Sequence, residues 1–416
     1  MKILLVVSEM PRMPGTGGAS RSFCLIRELS KKHSFTVLTP EEVFRHRARD
    51  LESLGVTVEV VPQGPGEEGP FVFRSIARNH YTIALDSILF QQPELIRRFK
   101  GVRARMARKI EERLADGYDL LQVDHSWSAQ WIEGLRIEVP KLITLYDVVS
   151  LLYRRIYEKK RLKMERLDAF FAWRKMMRYE KRAIRQFDRC VVLSRNDLEA
   201  LRGLVPDCEA SIVPNGVDTG YFKPQESLPE DPGSIVFTGA MCWYPNEDAM
   251  LWFGGEVLPL IRRSHPRVKL SIVGADPRPS VAALHDGEKI VVTGYVEDVR
   301  SYIARSALCV APIRVGSGTR IKILEAMAMG KAVVSTSIGC EGLDVTEGEN
   351  ILVADSPEDF AACVCRLLED PALARSLGRL GRRLIEEKYS YGFLAGRMDR
   401  VYEEVVCAAG KRGLRG

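Results

Sequence analysis

Short, continuous apolar runs recur along the first half of the chain. The first covers residues 3–7 and is followed by a glycine-bearing loop over 14–20 and an amphipathic stretch over 21–32. Such runs are typical of strands buried on both faces of a parallel sheet, so this order predicts a βαβ unit. Further strands are predicted at 35–38, 56–61, 120–123, 141–145 and 190–193. The first half is therefore predicted to form a doubly wound α/β sheet.

A second series begins after the pattern breaks. Turn residues gather around Asn215, Gly216 and Asp218, and the stretch over 227–233 is rich in Pro, Asp and Glu. We therefore predict two Rossmann-like doubly wound domains facing across a cleft, over 1–210 and 234–393, with a linker at 211–233 and a C-terminal helix over 394–416 that packs back on the first domain. Strands of the second domain are predicted at 234–238, 268–273, 290–293, 308–312, 332–336 and 350–353.

Length and composition fit two globular domains. A chain of 416 residues exceeds what one hydrophobic core usually supports, and 46% apolar and 28% charged residues exclude disorder, collagen and coiled coil. The run at 3–7 is too short for a signal peptide and no other stretch approaches 18 apolar residues, so we expect the chain to stay in the cytoplasm. Nine cysteines without CxxC pairs indicate thiols in a reducing compartment rather than disulfides or metal ligands.

Paired Rossmann-like domains bind ligands at the carboxyl ends of their strands, and the motifs narrow the choice of ligand. The loop over 15–20 departs from GxGxxG because Ser20 stands at the third glycine position, which disfavours a dinucleotide. The chain has no GxxxxGK[ST] motif, so a P-loop nucleotide hydrolase is excluded.

The segment over 315–330 predicts an anion site. A glycine loop leads into a helix that ends at Gly330, and free backbone N–H groups over 317–321 would point at a phosphate. Arg320 and Lys322 add positive charge, and Glu325 could accept hydrogen bonds from sugar hydroxyls. The alternative is a surface helix with an ordinary glutamate.

Several motifs in order resemble the retaining family-4 glycosyltransferases of GT-B fold. Within that group, the variant over 316–322 and Tyr244-Pro245-Asn246 are similar to bacterial sugar transferases of exopolysaccharide and exosortase-associated clusters. The resemblance covers residues 1 to about 395 and is strongest over 180–355. It rests on Asn215-Gly216-Val217-Asp218 with Tyr221-Phe222-Lys223-Pro224, Tyr179-Glu180 with the run over 187–194, and Leu324-Glu325-Ala326-Met327-Ala328-Met329-Gly330-Lys331.

The resemblance assigns donor-side roles with two departures. Glu325 matches the second glutamate of the family's paired motif, which holds the donor ribose, whereas Ser317 stands in place of the first, which contacts the transferred sugar. The phosphate-binding Arg and Lys that normally follow a glycine matching Gly239 are missing. We infer that Arg320 and Lys322 compensate by neutralising the leaving diphosphate. Further donor-binding positions implied by the match, or by the glycine loop itself, are Gly17, Gly18, Gly274, Tyr295, Val296, Gly318 and Thr319.

Some of these positions have structural alternatives. Gly17 and Gly18 could simply form a tight βα turn, and Tyr295 could be a core aromatic. On the acceptor side, His125 and Asp147 follow predicted strands and are candidate catalytic residues, although a lone histidine is more often structural. The resemblance implies that no enzymic nucleophile, metal ion or other cofactor is needed, because in this family the leaving phosphate is thought to take the acceptor proton.

Basic residues cluster in the first domain. The stretch over 154–189 holds fourteen basic residues against five acidic ones, interleaved with Phe170, Phe171, Trp173 and Tyr179. A solvated helix face would explain this, but contact with an anionic membrane would suit a lipid-linked acceptor and place the protein on the inner face of the membrane. No nucleic-acid fold signature accompanies the charge, so we expect no nucleic-acid partner.

The expected function is transfer of a sugar from a UDP- or GDP-linked donor to a carbohydrate or lipid-linked glycan acceptor, with retention of configuration. The alternative is a catalytically idle GT-B protein that binds nucleotide or glycan as a scaffold. Loss of the first motif glutamate favours that alternative, and the cluster of Gly318, Arg320, Lys322 and Glu325 argues against it. A third possibility, a GT-B epimerase acting on the free nucleotide sugar, is disfavoured because this chain lacks the carboxylates expected of such an enzyme.

Overall fold

The structure is a computed structural model that describes residues 1–13, 15–40, 45–62, 96, 100–159, 162–316 and 320–413. It divides into two compact units. The first unit comprises Met1–Asn215 with Tyr391–Gly416, and the second comprises Gly216–Ser390. The predicted linker over 211–233 is thus shared between the units, with its first five residues in the first unit and the remainder in the second.

Seven parallel strands form the sheet of the first unit. They are β1 Lys2–Val6, β2 Ser34–Thr39, β3 Thr57–Val60, β4 Leu120–Asp124, β5 Lys141–Leu145, β6 Arg189–Val192 and β7 Ala210–Ile212. Their order in the sheet is β3-β2-β1-β4-β5-β6-β7, and Leu5 of β1 lies opposite Val37 and Gln122. The first six strands lie where the apolar runs predict them. The last strand was not predicted, because three half-buried residues at a sheet edge leave no continuous apolar run.

Helices cover both faces of this sheet, which is why successive residues of its central strands are mostly apolar. Ile3 and Leu5 face one core cluster, and Leu4 and Val6 face another on the opposite side. The described helices of Met1–Asn215 are α1 Gly17–Leu29, α2 Arg45–Glu52, α3 Lys100–Leu114, α4 Val149–Lys159, α5 Lys163–Ile184 and α6 Arg195–Leu204, with a 3₁₀ turn at Ser126–Trp131.

The second unit repeats the arrangement with six parallel strands. They are β8 Asp231–Thr238, β9 Lys269–Val273, β10 Ile290–Val292, β11 Ser306–Ala311, β12 Val333–Ser335 and β13 Leu352–Val353, in the order β10-β9-β8-β11-β12-β13. Its helices are α7 Tyr244–Trp252, α8 Leu258–Ser264, α9 Pro279–Ala282, α10 Arg300–Arg305, α11 Ile321–Ala328, α12 Pro357–Glu369 and α13 Pro371–Lys388, with a π-helical segment at Phe253–Val257.

The final helix, α14 Tyr391–Gly413, belongs to the first unit. Its residues Leu394, Met398 and Tyr402 are buried in the same core cluster as Ile3. The helix predicted over 394–416 therefore begins three residues earlier and packs on the first unit, beside α1.

In each sheet the strand order reverses beside the first strand, between β1 and β4 and between β8 and β11. Open α/β sheets bind ligands at this switch point, outside the carboxyl ends of the strands. All nine cysteines are free thiols. Within the ranges described above, no helix has both the length and the apolar character needed to cross a membrane.

Candidate active site

Two glycines lie at the carboxyl ends of adjacent strands, β8 and β9, in the second unit. Gly239 follows β8 with φ +150°, and a Cβ there would lie 2.8 Å from Lys322 Nζ and from Asn246 Nδ2. Gly274 follows β9 with φ +151°, and its Cβ would lie 1.9 Å from the carbonyl oxygen of Gly239. Neither position has room for a side chain, because atoms of Lys322, Asn246 and the Gly239 backbone already fill that space.

Lys322 brings a positive charge to the end of β8. It lies in the first turn of α11, and its Nζ donates a 2.8 Å hydrogen bond to Asn246 Oδ1 and lies 3.7 Å from the centroid of the Phe237 ring. No described carboxylate forms an ion pair with it. Burial, and then the like charge of Arg320, hold the pKa of Lys322 well below its usual range. A bound anion would offset both effects.

Glu325 lies one turn further along α11. Burial raises its pKa to about 7, although the charge of Lys322 opposes the rise. No residue in the described ranges donates a hydrogen bond to its carboxylate. The helix ends as predicted, with Gly330 at φ +72°. A half-buried carboxylate without a donor is suited to accept hydrogen bonds from the hydroxyls of a ligand.

Arg320 and Lys322 make different hydrogen bonds. It precedes α11 without a side-chain cap, and its Nη2 donates to the carbonyl of Ile338, 3.3 Å away, in the loop after β12. A Cβ at Gly316 would lie 3.2 Å from the same nitrogen. The two cations predicted to act together therefore contact different loops. Ser317, Gly318 and Thr319, predicted to bind the donor, lie outside the described residues.

The loop after β10 places the remaining donor-side candidates. The backbone N–H of Gly274 donates to the carbonyl of Gly294, 3.2 Å away, so the loops after β9 and β10 are joined. Tyr295 is 76% exposed and Val296 is half-buried. The alternative that Tyr295 is a core aromatic is therefore wrong, and its ring is available to a ligand.

A tight contact surrounds the glycine loop of the first unit. Gly17 and Gly18 open α1, and the hydroxyl of Thr16 caps the helix by accepting from the N–H of Ala19 at 3.2 Å. A Cβ at Gly18 would lie 2.8 Å from the Tyr146 ring and 3.2 Å from His125 Nε2. The glycine is needed for this packing, so the βα-turn alternative and close approach of backbone to a ligand both remain compatible with it.

His125 follows β4 in an uncommon backbone conformation. Its φ is +70°, its ring stacks on Trp127 with centroids 4.0 Å apart, and the Tyr146 ring meets it edge-on at 4.2 Å. Burial lowers the pKa of His125 to about 3. The imidazole is therefore neutral near pH 7 and can exchange hydrogen bonds with an acceptor but cannot supply a positive charge.

A buried hydrogen-bond network fixes Tyr146 beside His125. The Tyr146 hydroxyl donates to Asp124 Oδ2 at 2.7 Å, and the Ser22 hydroxyl donates to the same oxygen at 2.9 Å. Gln122 Nε2 donates to Asp124 Oδ1 at 2.9 Å. The sequence did not predict this network, although the polar pair Asp124-His125 at a strand end is visible in it. Asp147 lies half-buried in the turn between β5 and α4.

Glu180, from the motif over 179–194, forms hydrogen bonds to the segments that follow β4 and β5. It is fully buried in α5 and accepts from the backbone N–H groups of Val149 and Ser150, at 3.0 and 2.9 Å, and from the Ser126 hydroxyl at 3.1 Å. It thus caps α4 and ties down the turn after His125. Its role in the structure is positional.

No cluster of three or more His, Cys, Asp or Glu side chains suited to a metal ion occurs in the described part of the chain. The prediction that the reaction needs no metal is not tested by this observation. Among the described residues at these strand ends, the side chain of Lys322 could hold an anionic ligand. The backbone N–H groups of Gly239 and Gly274 already donate to the carbonyls of Val273 and Gly294.

Two family models match the chain. One described as Glycosyltransferase Family 4 matches residues 16–221, and one described as Glycosyl transferases group 1 matches residues 232–370. The two matches do not overlap, and each falls mainly within one of the two units. Together they span most of the sequence.

Relatives of known sequence agree with these matches. An uncharacterized 44.6 kDa protein in the cps region of Klebsiella pneumoniae is 19% identical over 293 residues, which cover 68% of this chain and 74% of that protein. Phosphatidyl-myo-inositol mannosyltransferase of Mycobacterium tuberculosis is 28% identical over 220 residues, 49% of this chain and 56% of that protein. The match thus spans only about half the length of the mannosyltransferase.

Solved structures share the fold. Sucrose-phosphate synthase of Thermosynechococcus elongatus has a TM-score of 0.71 at 18% identity, covering 98% of this chain and 100% of that one. HepE of Anabaena, solved in complex with UDP-glucose, has a TM-score of 0.66 at 14% identity, covering 97% and 99%. With two family models and these structures in agreement, the chain belongs to the glycosyltransferases of GT-B fold.

Proposed function

We propose that this protein transfers a sugar from a nucleoside-diphosphate sugar, UDP- or GDP-linked, to a carbohydrate or lipid-linked glycan acceptor, with retention of anomeric configuration. The acceptor is proposed to belong to bacterial polysaccharide biosynthesis, as the motif resemblance implies. No metal ion or other cofactor takes part in the proposed reaction.

The observation that carries the proposal is the position of Lys322. Its ammonium group lies at the end of β8, against Gly239, where the sequence itself carries no basic residue. A diphosphate bound beside Gly239 and Gly274 would lie close enough to the Lys322 ammonium group to form an ion pair with it. The structure thus supports compensation for the missing Arg and Lys by a residue from α11, and it supports Lys322 more strongly than Arg320.

Glu325 is proposed to hold the donor ribose. It follows Lys322 by three residues on the same helix, and its carboxylate has no donor among the described residues. A ribose carried by a diphosphate at Lys322 would bring hydroxyl groups to this side of α11. Tyr295, exposed after β10, is proposed to border the base together with Val296 and Gly274, while Ser317, Gly318 and Thr319 are proposed to contact the phosphates and the sugar.

On the acceptor side, the neutral His125 is proposed to hold a hydroxyl of the acceptor or of the transferred sugar. Gly17 and Gly18, at the start of α1, and Asp147, after β5, are proposed to line the same region. In the proposed transfer, the bond between the anomeric carbon and the diphosphate oxygen breaks. The acceptor oxygen bonds to that carbon on the same face, and its proton passes to the departing phosphate oxygen. No enzymic nucleophile is required for this balance.

Two relatives support the donor and acceptor classes. HepE was solved with UDP-glucose, which is a nucleoside-diphosphate sugar. The mycobacterial relative is a phosphatidyl-myo-inositol mannosyltransferase, whose name specifies a lipid acceptor. By similarity, we extend these classes to this chain as part of the proposal.

A nucleotide-release assay tests the proposal. Purified protein is incubated with UDP- and GDP-sugars and with glycan and lipid-linked acceptors, and the product anomer is read by NMR coupling constants. We expect release of UDP or GDP that depends on the acceptor, and an α-linked product from an α-linked donor. Inversion would overturn the stereochemical part, and stabilisation by nucleotide without turnover across the panel would favour the scaffold alternative.

A further inference from the structure

The helices α4 and α5 form a hairpin whose outer surface is unusually apolar at one end. Leu162, Leu167 and Phe171 are 65%, 50% and 40% exposed. They make up half of the six large apolar side chains that are exposed in the described part of the chain. Scattered exposure of this kind needs no explanation, but concentration on one hairpin indicates a contact surface.

These apolar residues continue into a row of basic ones along α5. Leu167 and Phe171 are followed at helical spacing by four arginines, and intervals of three and four residues place all six on one stripe. Among these arginines, only Arg174 is not largely exposed, and Arg182 forms a 3.0 Å ion pair with Glu133. The stripe, which we call the α5 stripe, consists of Leu167, Phe171, Arg174, Arg178, Arg182 and Arg185.

Acidic residues of α5 lie off this stripe. Glu165 and Asp168 are half-buried, and their spacing places them on a different side of the helix. Glu180 is fully buried and accepts a hydrogen bond from the first residue of α4, Val149. From Arg174 to Arg185 the stripe therefore carries only arginines, of which Arg182 is paired with Glu133. At 1.5 Å per residue, its length from Phe171 to Arg185 is about 21 Å.

An aromatic cluster fixes the apolar end. Phe171 contacts the edge of Phe170 with centroids 5.7 Å apart, and Phe170 contacts Trp173 and the Tyr157 ring of α4. The rings of Tyr157 and Trp173 stack at 5.7 Å. The exposed Phe171 is thus held in place, so little conformational entropy is lost when it is buried against a partner.

We propose that the α5 stripe docks on an anionic phospholipid bilayer, with Leu162, Leu167 and Phe171 entering the acyl boundary and the arginines binding lipid phosphates. Charge complementarity selects this partner. A nucleic acid would satisfy the arginines and leave the apolar end in water. A second copy of the chain would present the same positive row and be repelled.

Docking would hold the enzyme on the membrane face where a lipid-linked acceptor is anchored, and only this consequence rests on the proposed function. Binding to lipid itself needs neither donor nor acceptor. A failure of docking is therefore distinguishable from a failure of sugar transfer.

Co-sedimentation with vesicles tests the surface on the full chain. Vesicles of phosphatidylcholine alone are compared with vesicles that also contain phosphatidylglycerol. We expect binding only to the anionic vesicles, and weakening as salt rises through the range in which the Debye length shrinks to about 8 Å. Each arginine is expected to contribute about fivefold, so the double variant Arg178→Gln with Arg185→Gln should bind about thirtyfold more weakly.

The apolar end is tested separately. Leu167→Ser with Phe171→Ser should reduce binding to anionic vesicles by about tenfold or more while the salt dependence is retained. Matched controls are Arg195→Gln with Arg202→Gln on α6 and Leu251→Ser with Phe393→Ser, which lie on other exposed surfaces. All four double variants should keep the wild-type Tm within a few degrees and wild-type nucleotide release on soluble acceptors.

Several results would overturn the proposal. Wild-type protein that binds neither vesicle, or both equally, contradicts it, as does undiminished binding of either α5 variant. Self-association that Phe171→Ser abolishes would assign the surface to a second copy. Duplex or single-stranded nucleic acid binding that Arg178→Gln weakens, without any vesicle binding, would assign it to nucleic acid.

Discussion

The carboxyl ends of the two sheets carry polar groups of opposite character. In the first unit, Ser22, Asp124 and Tyr146 are hydrogen-bonded to one another inside the protein. In the second unit, the amide of Asn246 is the one hydrogen-bond partner of Lys322 among the described residues, and none of these residues donates to Glu325. The topology is the same in both, so the difference lies in how the polar side chains are used.

This difference separates groups that hold the protein together from groups that await a ligand. A satisfied buried network stabilises the fold, whereas a half-buried charge without an ion partner destabilises it until something binds. Substitutions in the second unit should therefore reduce activity and raise the stability of the free protein, and those in the first should lower stability.

The largest effect is expected for Lys322→Met. Loss of the cation at Gly239 should lower kcat by about 100- to 1000-fold, the range seen when one preorganised donor to a developing charge is removed. The free protein should unfold at a higher temperature than wild type, because a desolvated ammonium group is replaced by an apolar side chain. Steady-state kinetics and thermal unfolding measure both.

The exposed Lys289→Met in the same unit is the matched control and should change neither quantity. Arg320→Ala is expected to have the smaller effect of the two cations, because Arg320 contacts Ile338 rather than the end of β8. Wild-type turnover in Lys322→Met, or a larger loss in Arg320→Ala, would contradict the assignment of the principal cation.

Glu325→Gln should weaken donor binding by about tenfold, since an amide accepts hydroxyl hydrogen bonds less strongly than a carboxylate. Donor affinity of the wild type should rise with pH through the value near 7 to which burial raises the pKa of Glu325. Affinity of the Gln variant should lack that dependence. Isothermal titration with UDP and GDP across this range measures it.

Stability gives Glu325 an independent readout of opposite sign. The folded state retains a proton to about pH 7, whereas the unfolded carboxyl group loses it near its usual value of 4.5. Between these values the folded state binds more protons, so wild-type stability falls as pH rises. The Tm advantage of Glu325→Gln should therefore grow with pH and reach about 2–4 °C above pH 7. A Tm difference between Glu325→Gln and wild type that does not change with pH would show that titration of the Glu325 carboxyl group is not its cause.

In the first unit, Asp124→Asn should destabilise the fold by about 1–3 kcal/mol, because the new amide N–H group faces hydroxyl donors and leaves buried groups without partners. Donor affinity should change little. Chemical denaturation and UDP binding measured on the same sample separate the two effects. An Asp207→Asn variant, at an exposed position between α6 and β7, is the control. Destabilisation no greater than in that control would show that the network is dispensable.

The fold was predictable because the strands of a doubly covered parallel sheet are apolar on both faces. Ile3 and Leu4 face opposite cores, yet both belong to one continuous run. The same logic fails for β7, whose three residues lie half-buried at an edge. The sequence thus identified strands with a recognisable apolar pattern, including the half-buried β3, and missed the short edge strand that has none.

The site was predictable only within one helix. Lys322 and Glu325 share a turn of α11, so their spacing was informative, whereas contact between Lys322 and Gly239 depends on β8 lying beside β11. The network of Ser22, Asp124 and Tyr146 joins helix α1 to the ends of β4 and β5, so it likewise depends on which elements are neighbours. Such contacts across a switch point are set by strand order, which local patterns do not encode.

The smallest effect is expected for His125→Phe, which keeps a ring against Trp127 and removes the ring nitrogens. Loss of one hydrogen bond to a substrate hydroxyl should lower kcat/KM by about tenfold. Because burial lowers the pKa of His125 to about 3, the unfolded state binds more protons than the folded state between this value and the usual 6.5, and wild-type stability should rise with pH there. The variant should show a shallower rise in Tm between those values, and its kcat/KM should follow the wild-type pH profile from about pH 5 to 8. A kcat/KM profile of the wild type with a histidine step near pH 6.5 that the variant lacks would mean that the imidazole acts as a titrating group, and the contrast between a satisfied first unit and a ligand-seeking second unit would fail at this residue.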